Sequence, residues 1–170
     1  MLLRSRHRSK VGGLSFCRLS DVQLCATTNE RMHMSSPTSA NPIEIAERFF
    51  EHWSSNRIDA ALGMLSADVL YDNVPFPDIT GREAVGQFHR GFGIGTDFLL
   101  DWKIIHMAAS GNVVLNERID VFKHTNGGVI TLPVMGTITV EHGEITVWRD
   151  YFDPADFDRQ LAKVKSGSAG

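Results

Sequence analysis

The chain has 170 residues, 42% of them hydrophobic and 22% charged, a balance that fits one soluble globular domain built on a single core. Its formal net charge of -3 and pI near 6.1 offer no general attraction for phosphate backbones or anionic lipid, which argues against nucleic acid as a partner. No apolar run approaches the roughly 18 to 20 residues that a membrane helix requires, so no membrane partner is expected either.

Residues 1 to 33 set Arg4, Arg6, Arg8, Lys10, Arg18 and Arg31 against only Asp21 and Glu30. This stretch lacks a continuous apolar region and is not a secretory signal, although an organelle transit peptide fits its composition. A start at Met34, with the preceding residues an over-called extension, fits better, because Met32 and Met34 stand just before the first periodic segment. Residues 1–40 are therefore expected to be a disordered basic tail or such an extension. The domain is expected over 41–165, with a flexible end at 166–170. Both cysteines, Cys17 and Cys25, precede the periodic part, so no disulfide staples the core and a reducing, cytoplasmic compartment fits.

Asn41 as N-cap and Pro42 at the first helical position predict a helix with Ile43, Ala46, Phe49, Phe50 and Trp53 on one stripe. Asn56 is placed to cap a second, shorter helix through Ile58, Ala61, Leu62 and Leu65. The segment Val69 to Asn73 reads as a strand, broken by the loop Val74-Pro75-Phe76-Pro77. Thr80 to Phe92 predicts a third helix with Ala84, Val85 and Phe88 inward, ending near Gly91, Gly93 and Gly95. Strands follow at Phe98 to Met107, Asn112 to Lys123, Val129 to Glu141 and Glu144 to Phe152, separated by tight-turn signals at Ser110-Gly111-Asn112, Asn126-Gly127-Gly128 and His142-Gly143. Asp153 and Pro154 open a closing helix carrying Phe157 and Leu161. Helices first and a long antiparallel meander last predict an α+β fold. A curved mixed or antiparallel sheet packs on the N-terminal helices, in a cone with an internal pocket.

Alternation puts Arg118 and Asp120 on one side of their strand, flanked by Val114 and Phe122, and puts Tyr71 and Asn73 on one side of theirs. In the last strand Thr146, Trp148, Asp150 and Phe152 share a face, which places a carboxylate between two aromatic rings. Buried charges are costly unless paired, so an enclosed Arg-x-Asp is informative. Singly, each of these residues reads equally well as a rim ion pair or a strand-edge polar group. Together, Y-x-N before a Pro-rich loop, then E-R-x-D-V, then W-R-D-Y-F-D, in an ααβαββββα chain, make a joint pattern.

That pattern resembles the limonene-1,2-epoxide hydrolase family, a branch of the cone-shaped fold shared with ketosteroid isomerase and nuclear transport factor 2 and with the SnoaL-like proteins. The resemblance spans about Pro42 to Leu161. It implies that Tyr71 and Asn73 hold an attacking water, that Asp150 is the base, that Asp120 is the acid and that Arg118 bridges the two. It implies hydrolysis of a small-to-medium apolar epoxide to a vicinal diol, with water as the second substrate and no cofactor.

Water is a poor nucleophile and an alkoxide a poor leaving group, so ring opening benefits from a base behind the water and an acid at the ring oxygen. Two carboxyls in opposite protonation states can serve, since like charges in one cavity raise one pKa. No G-x-S-x-G elbow and no core cysteine offers a covalent nucleophile, so a one-step attack by water is expected. No metal is expected: His7, His33, His52, His89, His106, His124 and His142 show no H-E-x-x-H spacing and read as surface or satisfied core residues. Apolar cavity candidates are Phe76, Phe88, Phe92, Leu100, Trp102, Val134, Met135, Trp148 and Phe152, with Phe76, Met135 and Trp148 singled out as substrate-facing. The opposite strand face, with Leu115, Ile119 and Val121, suggests a sheet-mediated homodimer. Rival readings are an isomerase or dehydratase of the ketosteroid isomerase type on the same fold, and a non-catalytic small-ligand-binding dimer.

Overall fold

Asn41 starts the described part of the chain, and its side-chain oxygen accepts from the Ile43 backbone N–H at 3.1 Å, as an N-cap should. The computed structural model describes residues 41–74 and 76–167, which fall in one unit of the chain. The expectations for residues 1–40 and 168–170 lie outside the described residues. Helix α1 (Pro42–Ser54) buries Ile45, Ala46, Phe49, Phe50 and Trp53, so its apolar stripe is the predicted one with Ile45 taking the inward place given to Ile43.

Helix α2 (Ile58–Leu62) is a single short turn, and Asn56 does not cap it. Asn56 adopts a φ of 56°, a left-handed conformation that asparagine tolerates better than most residues. Its amide accepts from the Leu100 N–H at 2.8 Å and donates to the Leu100 carbonyl at 3.1 Å, imitating a strand partner. The turn after α1 is thereby tied to strand β3 (Phe98–Ser110). Strand β1 (Leu65–Val74) takes in Leu65, which the sequence pattern placed on the helix, and starts earlier than expected. Ile79–Thr80 forms a short strand β2 against β1, so helix α3 begins only at Arg82 and runs to Phe92. Gly81, with φ 98°, makes the corner between them. Val85, Gly86 and His89 are buried on α3, while Phe88 is 45% exposed.

Strands β3, β4 (Val113–His124), β5 (Val129–Glu141) and β6 (Glu144–Tyr151) pair consecutively and antiparallel, the meander read from the turn signals. At the β5–β6 hairpin both His142 (φ 51°) and Gly143 (φ 86°) are left-handed, the conformation of a two-residue turn that follows strand twist. The six strands form one mixed sheet in the order β2-β1-β6-β5-β4-β3, in which β1 runs parallel to β6. Helix α1 packs on β3, β4 and β5, α3 on β1, and the capped helix α4 (Pro154–Lys165) on β5. The fold is α+β as expected. Among the described residues no helix is long and apolar enough to cross a membrane.

Candidate active site

Strand β4 sends Val114, Asn116, Arg118 and Asp120 inward and leaves Leu115 and Glu117 outside, the period of two that a half-buried strand requires. Arg118 and Asp120 are 1% and 4% exposed, so both are fully enclosed. On β6 the same alternation turns Trp148 and Asp150 inward, and the parallel register places Asn73 of β1 beside Asp150 and Tyr71 beside Trp148. Three distant segments thus deliver Tyr71, Asn73, Arg118, Asp120 and Asp150 to one place, the wall of a cavity of about 420 Å³.

Arg118 is the hub. Its Nε donates to Asp120 Oδ1 at 2.8 Å, its Nη2 to Asp150 Oδ2 at 2.5 Å and its Nη1 to Asn116 Oδ1 at 2.8 Å. The guanidinium carbon also lies 4.9 Å from the ring centre of Phe50 and 5.2 Å from that of Trp102, contacts that favour a cation over an aromatic face. A buried ion pair stabilises only when its remaining hydrogen-bonding capacity is met; every nitrogen of the guanidinium has a partner, whereas one Asp150 oxygen is left open among the described residues.

The electrostatics divide the two aspartates. Burial raises the pKa of Asp120, the charge of Arg118 opposes this, and the charge of Asp150 adds to it, leaving Asp120 at about 7. Near neutral pH this carboxyl therefore holds a proton for much of the time. Burial pushes the Arg118 guanidinium towards neutrality, but the charges and hydrogen bonds of Asp120 and Asp150 outweigh it and keep it cationic. The Tyr71 phenol is held well above its ordinary value, first by burial and then by the charge of Asp150, while a hydrogen bond with Asn73 acts the other way. It stays a neutral donor. Asp150 Oδ1 is buried with no hydrogen-bond partner among the described residues, which leaves an acceptor lone pair beside these donors.

Gly136 makes the arrangement possible. It lies opposite Asp150 on one side and Asn116 on the other, and a Cβ built there would stand 2.5 Å from Asp150 Oδ1 and 3.0 Å from Arg118 Nη1. Neither Gly136 nor Asn116 was singled out from the sequence. Asn116 shares the strand parity of Arg118, and a glycine inside a strand is a known mark of close approach, so both signals were present.

The apolar candidates divide. Phe76, Phe88, Phe92, Trp102, Val134 and Phe152 line the cavity. Met135 does not: it is 51% exposed on the outer face of β5, because alternation that turns Val134 inward must turn Met135 outward. Trp148 is fully buried behind the wall, its ring centre 4.4 Å from that of Tyr71, and it supports the tyrosine instead of facing a ligand. Leu100 is likewise a core residue outside the lining. Among the described residues no group of three or more His, Cys, Asp or Glu side chains is placed to hold a metal ion.

Comparison with known proteins bears on the family and the fold. Residues 40–163 match the family model of the limonene-1,2-epoxide hydrolase catalytic domain. The chain is 36% identical over 107 residues to the epoxide hydrolase EphG of Mycobacterium tuberculosis, covering 62% of this chain and 67% of that protein. A solved structure of an M. tuberculosis LEH-like epoxide hydrolase superposes with a TM-score of 0.62 at 30% identity, covering 75% of this chain and 96% of that one. An NTF2-like protein from Burkholderia pseudomallei shares the fold with a TM-score of 0.64 at 18% identity, covering 72% of this chain and 98% of that one.

Proposed function

The chain belongs to the limonene-1,2-epoxide hydrolase family, and from that premise we propose that it adds water to a small-to-medium apolar epoxide, giving a vicinal diol in one step. The observation that carries the reading is Arg118 bound at once to Asp120 and Asp150, at 2.8 and 2.5 Å, in the wall of an apolar cavity.

In this reading a water sits against Asp150 Oδ1, Tyr71 and Asn73. Asp150 takes its proton as the oxygen attacks one epoxide carbon, while the protonated carboxyl of Asp120 donates to the ring oxygen as the C–O bond breaks. The diol forms with both hydroxyls accounted for: one from water, one from the ring oxygen and the proton of Asp120. Asp150 then holds a proton taken from the water and Asp120 lacks one, and Arg118, bonded to both, keeps the two carboxyls poised for a proton to pass from Asp150 to Asp120. Acid and base terms of this kind contribute about 10²- to 10⁴-fold each, and fixing the water adds to them. Phe76 and the other cavity aromatics hold the hydrocarbon body and exclude bulk water.

A single turnover in ¹⁸O-labelled water tests the one-step route. The label should appear in the diol in that first turnover; label entering an enzyme carboxylate instead would exclude it. The outer sheet face supports a homodimer as part of this reading, since Leu115, Met135 and Tyr151 lie exposed there.

A further inference from the structure

One polar group on the cavity wall takes no part in this scheme. His89, on α3, is 6% exposed and lines the cavity beside Phe88 and Phe92. Its Nδ1 lies 2.9 Å from the Val85 carbonyl oxygen one helical turn back. A carbonyl can only accept, so Nδ1 carries the proton and Nε2 presents a bare lone pair.

No group among the described residues satisfies that lone pair. The ring is enclosed by Trp53, Tyr71, Phe88 and Trp148, with ring centres 4.7, 5.3, 5.2 and 5.6 Å away. The nearby Tyr71 hydroxyl makes no hydrogen bond to it, and His89 makes no second hydrogen bond among the described residues. Burial holds the imidazole down to a pKa of about 4, so it remains neutral and Nε2 remains an acceptor near neutral pH. An epoxide oxygen, an ether or a hydrocarbon cannot donate to it. A hydroxyl can.

Resting on the epoxide hydrolase reading, we propose that His89 is a specificity-determining residue whose Nε2 accepts a hydrogen bond from a hydroxyl carried by the substrate outside its epoxide ring. The preferred substrate class is then an apolar epoxide bearing a free alcohol. A site with a buried acceptor discriminates against an analogue that leaves the acceptor unpaired, which is a stronger selection than apolar fit alone.

Two epoxides on one carbon frame test this: 1-methyl-4-isopropylcyclohexene oxide and its counterpart with a hydroxyl on the tertiary isopropyl carbon. The intact chain should show kcat/KM about 10- to 100-fold higher for the alcohol. The preference should vanish in His89→Leu and return in part in His89→Gln, whose Oε1 can stand near the place of Nε2. Equal kcat/KM in the unmodified protein, the pattern expected if only water meets Nε2, overturns the proposal, as does a preference that survives in His89→Leu. Each protein is judged by the ratio of two substrates, so partial loss of fold cancels, and the unmodified protein's ratio stands even if neither variant folds. Opening of neither epoxide counts against the epoxide hydrolase reading, and His89 is then decided by binding alone. Tryptophan fluorescence would compare p-menthan-8-ol with p-menthane: tighter binding of the alcohol that is lost in His89→Leu supports the proposal, and equal binding overturns it.

Discussion

Gly136 faces Asp150 across the β5–β6 ladder, and the space a side chain would fill at Gly136 is occupied by the carboxylate and by the guanidinium that holds it. Gly136→Ala puts a methyl 2.5 Å from Asp150 Oδ1, so the carboxylate or the strand must shift. We expect kcat to fall about 100-fold, because displacement of a reacting group by an ångström is costly, with stability lowered by about 1 to 3 kcal/mol. Steady-state kinetics and thermal melting of the variant check both; unchanged kcat would show that the close approach is not needed.

The proposed acid carries its own pH signature. Asp120 is protonated below about 7, so kcat/KM should fall about tenfold for each unit above that pH. The sign for stability follows from the same raised value: between the ordinary carboxylate range near 3.8 and about 7 the folded state binds more protons than the unfolded one. Stability attributable to Asp120 is therefore complete at low pH and lost as pH rises through about 7. Asp120→Asn should remove that slope from denaturant titrations across the window while lowering kcat by at least 100-fold. A variant whose slope matches the parent would place the titration elsewhere.

Asn116 anchors one nitrogen of Arg118 without touching the cavity, which makes it a positioning residue. Asn116→Ala should lower kcat about tenfold with KM nearly unchanged, and should shift the pH midpoint of activity because Arg118 is less firmly held against Asp120. Asn116→Thr, which restores an oxygen on a shorter side chain, should recover part of the loss. A change confined to melting temperature would mean that the residue is structural only.

The outer face of the sheet makes a prediction about assembly. Met135 and Leu115 are 51% and 43% exposed there, so Met135→Arg combined with Leu115→Arg places two charges on the apolar face without entering the core. Light scattering should find a dimer for the parent chain and a monomer for the double variant. A parent that runs as a monomer at micromolar concentration would remove the homodimer from the proposal.

The sequence carried most of the architecture because its signals were local. Asn41-Pro42 and Asp153-Pro154 mark helix starts that the structure places at those residues, and the glycine turns separate the strands of the meander. What escaped is non-local. The parallel pairing of β1 with β6 leaves no trace in either strand, and Asn56 was read as a helix cap because its true partner, Leu100, is far along the chain. At the site, alternation placed Arg118, Asp120 and Asp150 inward but failed for Met135, where a choice between neighbours of one strand was made on residue type instead of parity. His89 carries no motif of its own, because whether its second nitrogen has a partner depends on neighbours that only the fold brings together.

The seam between β1 and β6 has a consequence for how the molecule comes into being. It joins positions 77 residues apart, as the bond between Asp72 and Arg149 marks, whereas the hairpins beside it close over short spans. Ordering so long an intervening segment is the entropically expensive step, and it comes before the contacts that repay it. A nascent chain released before β6 emerges can form the early helices and hairpins but has nothing to set beside Tyr71 and Asn73. On the proposed mechanism, activity therefore requires this seam to be closed.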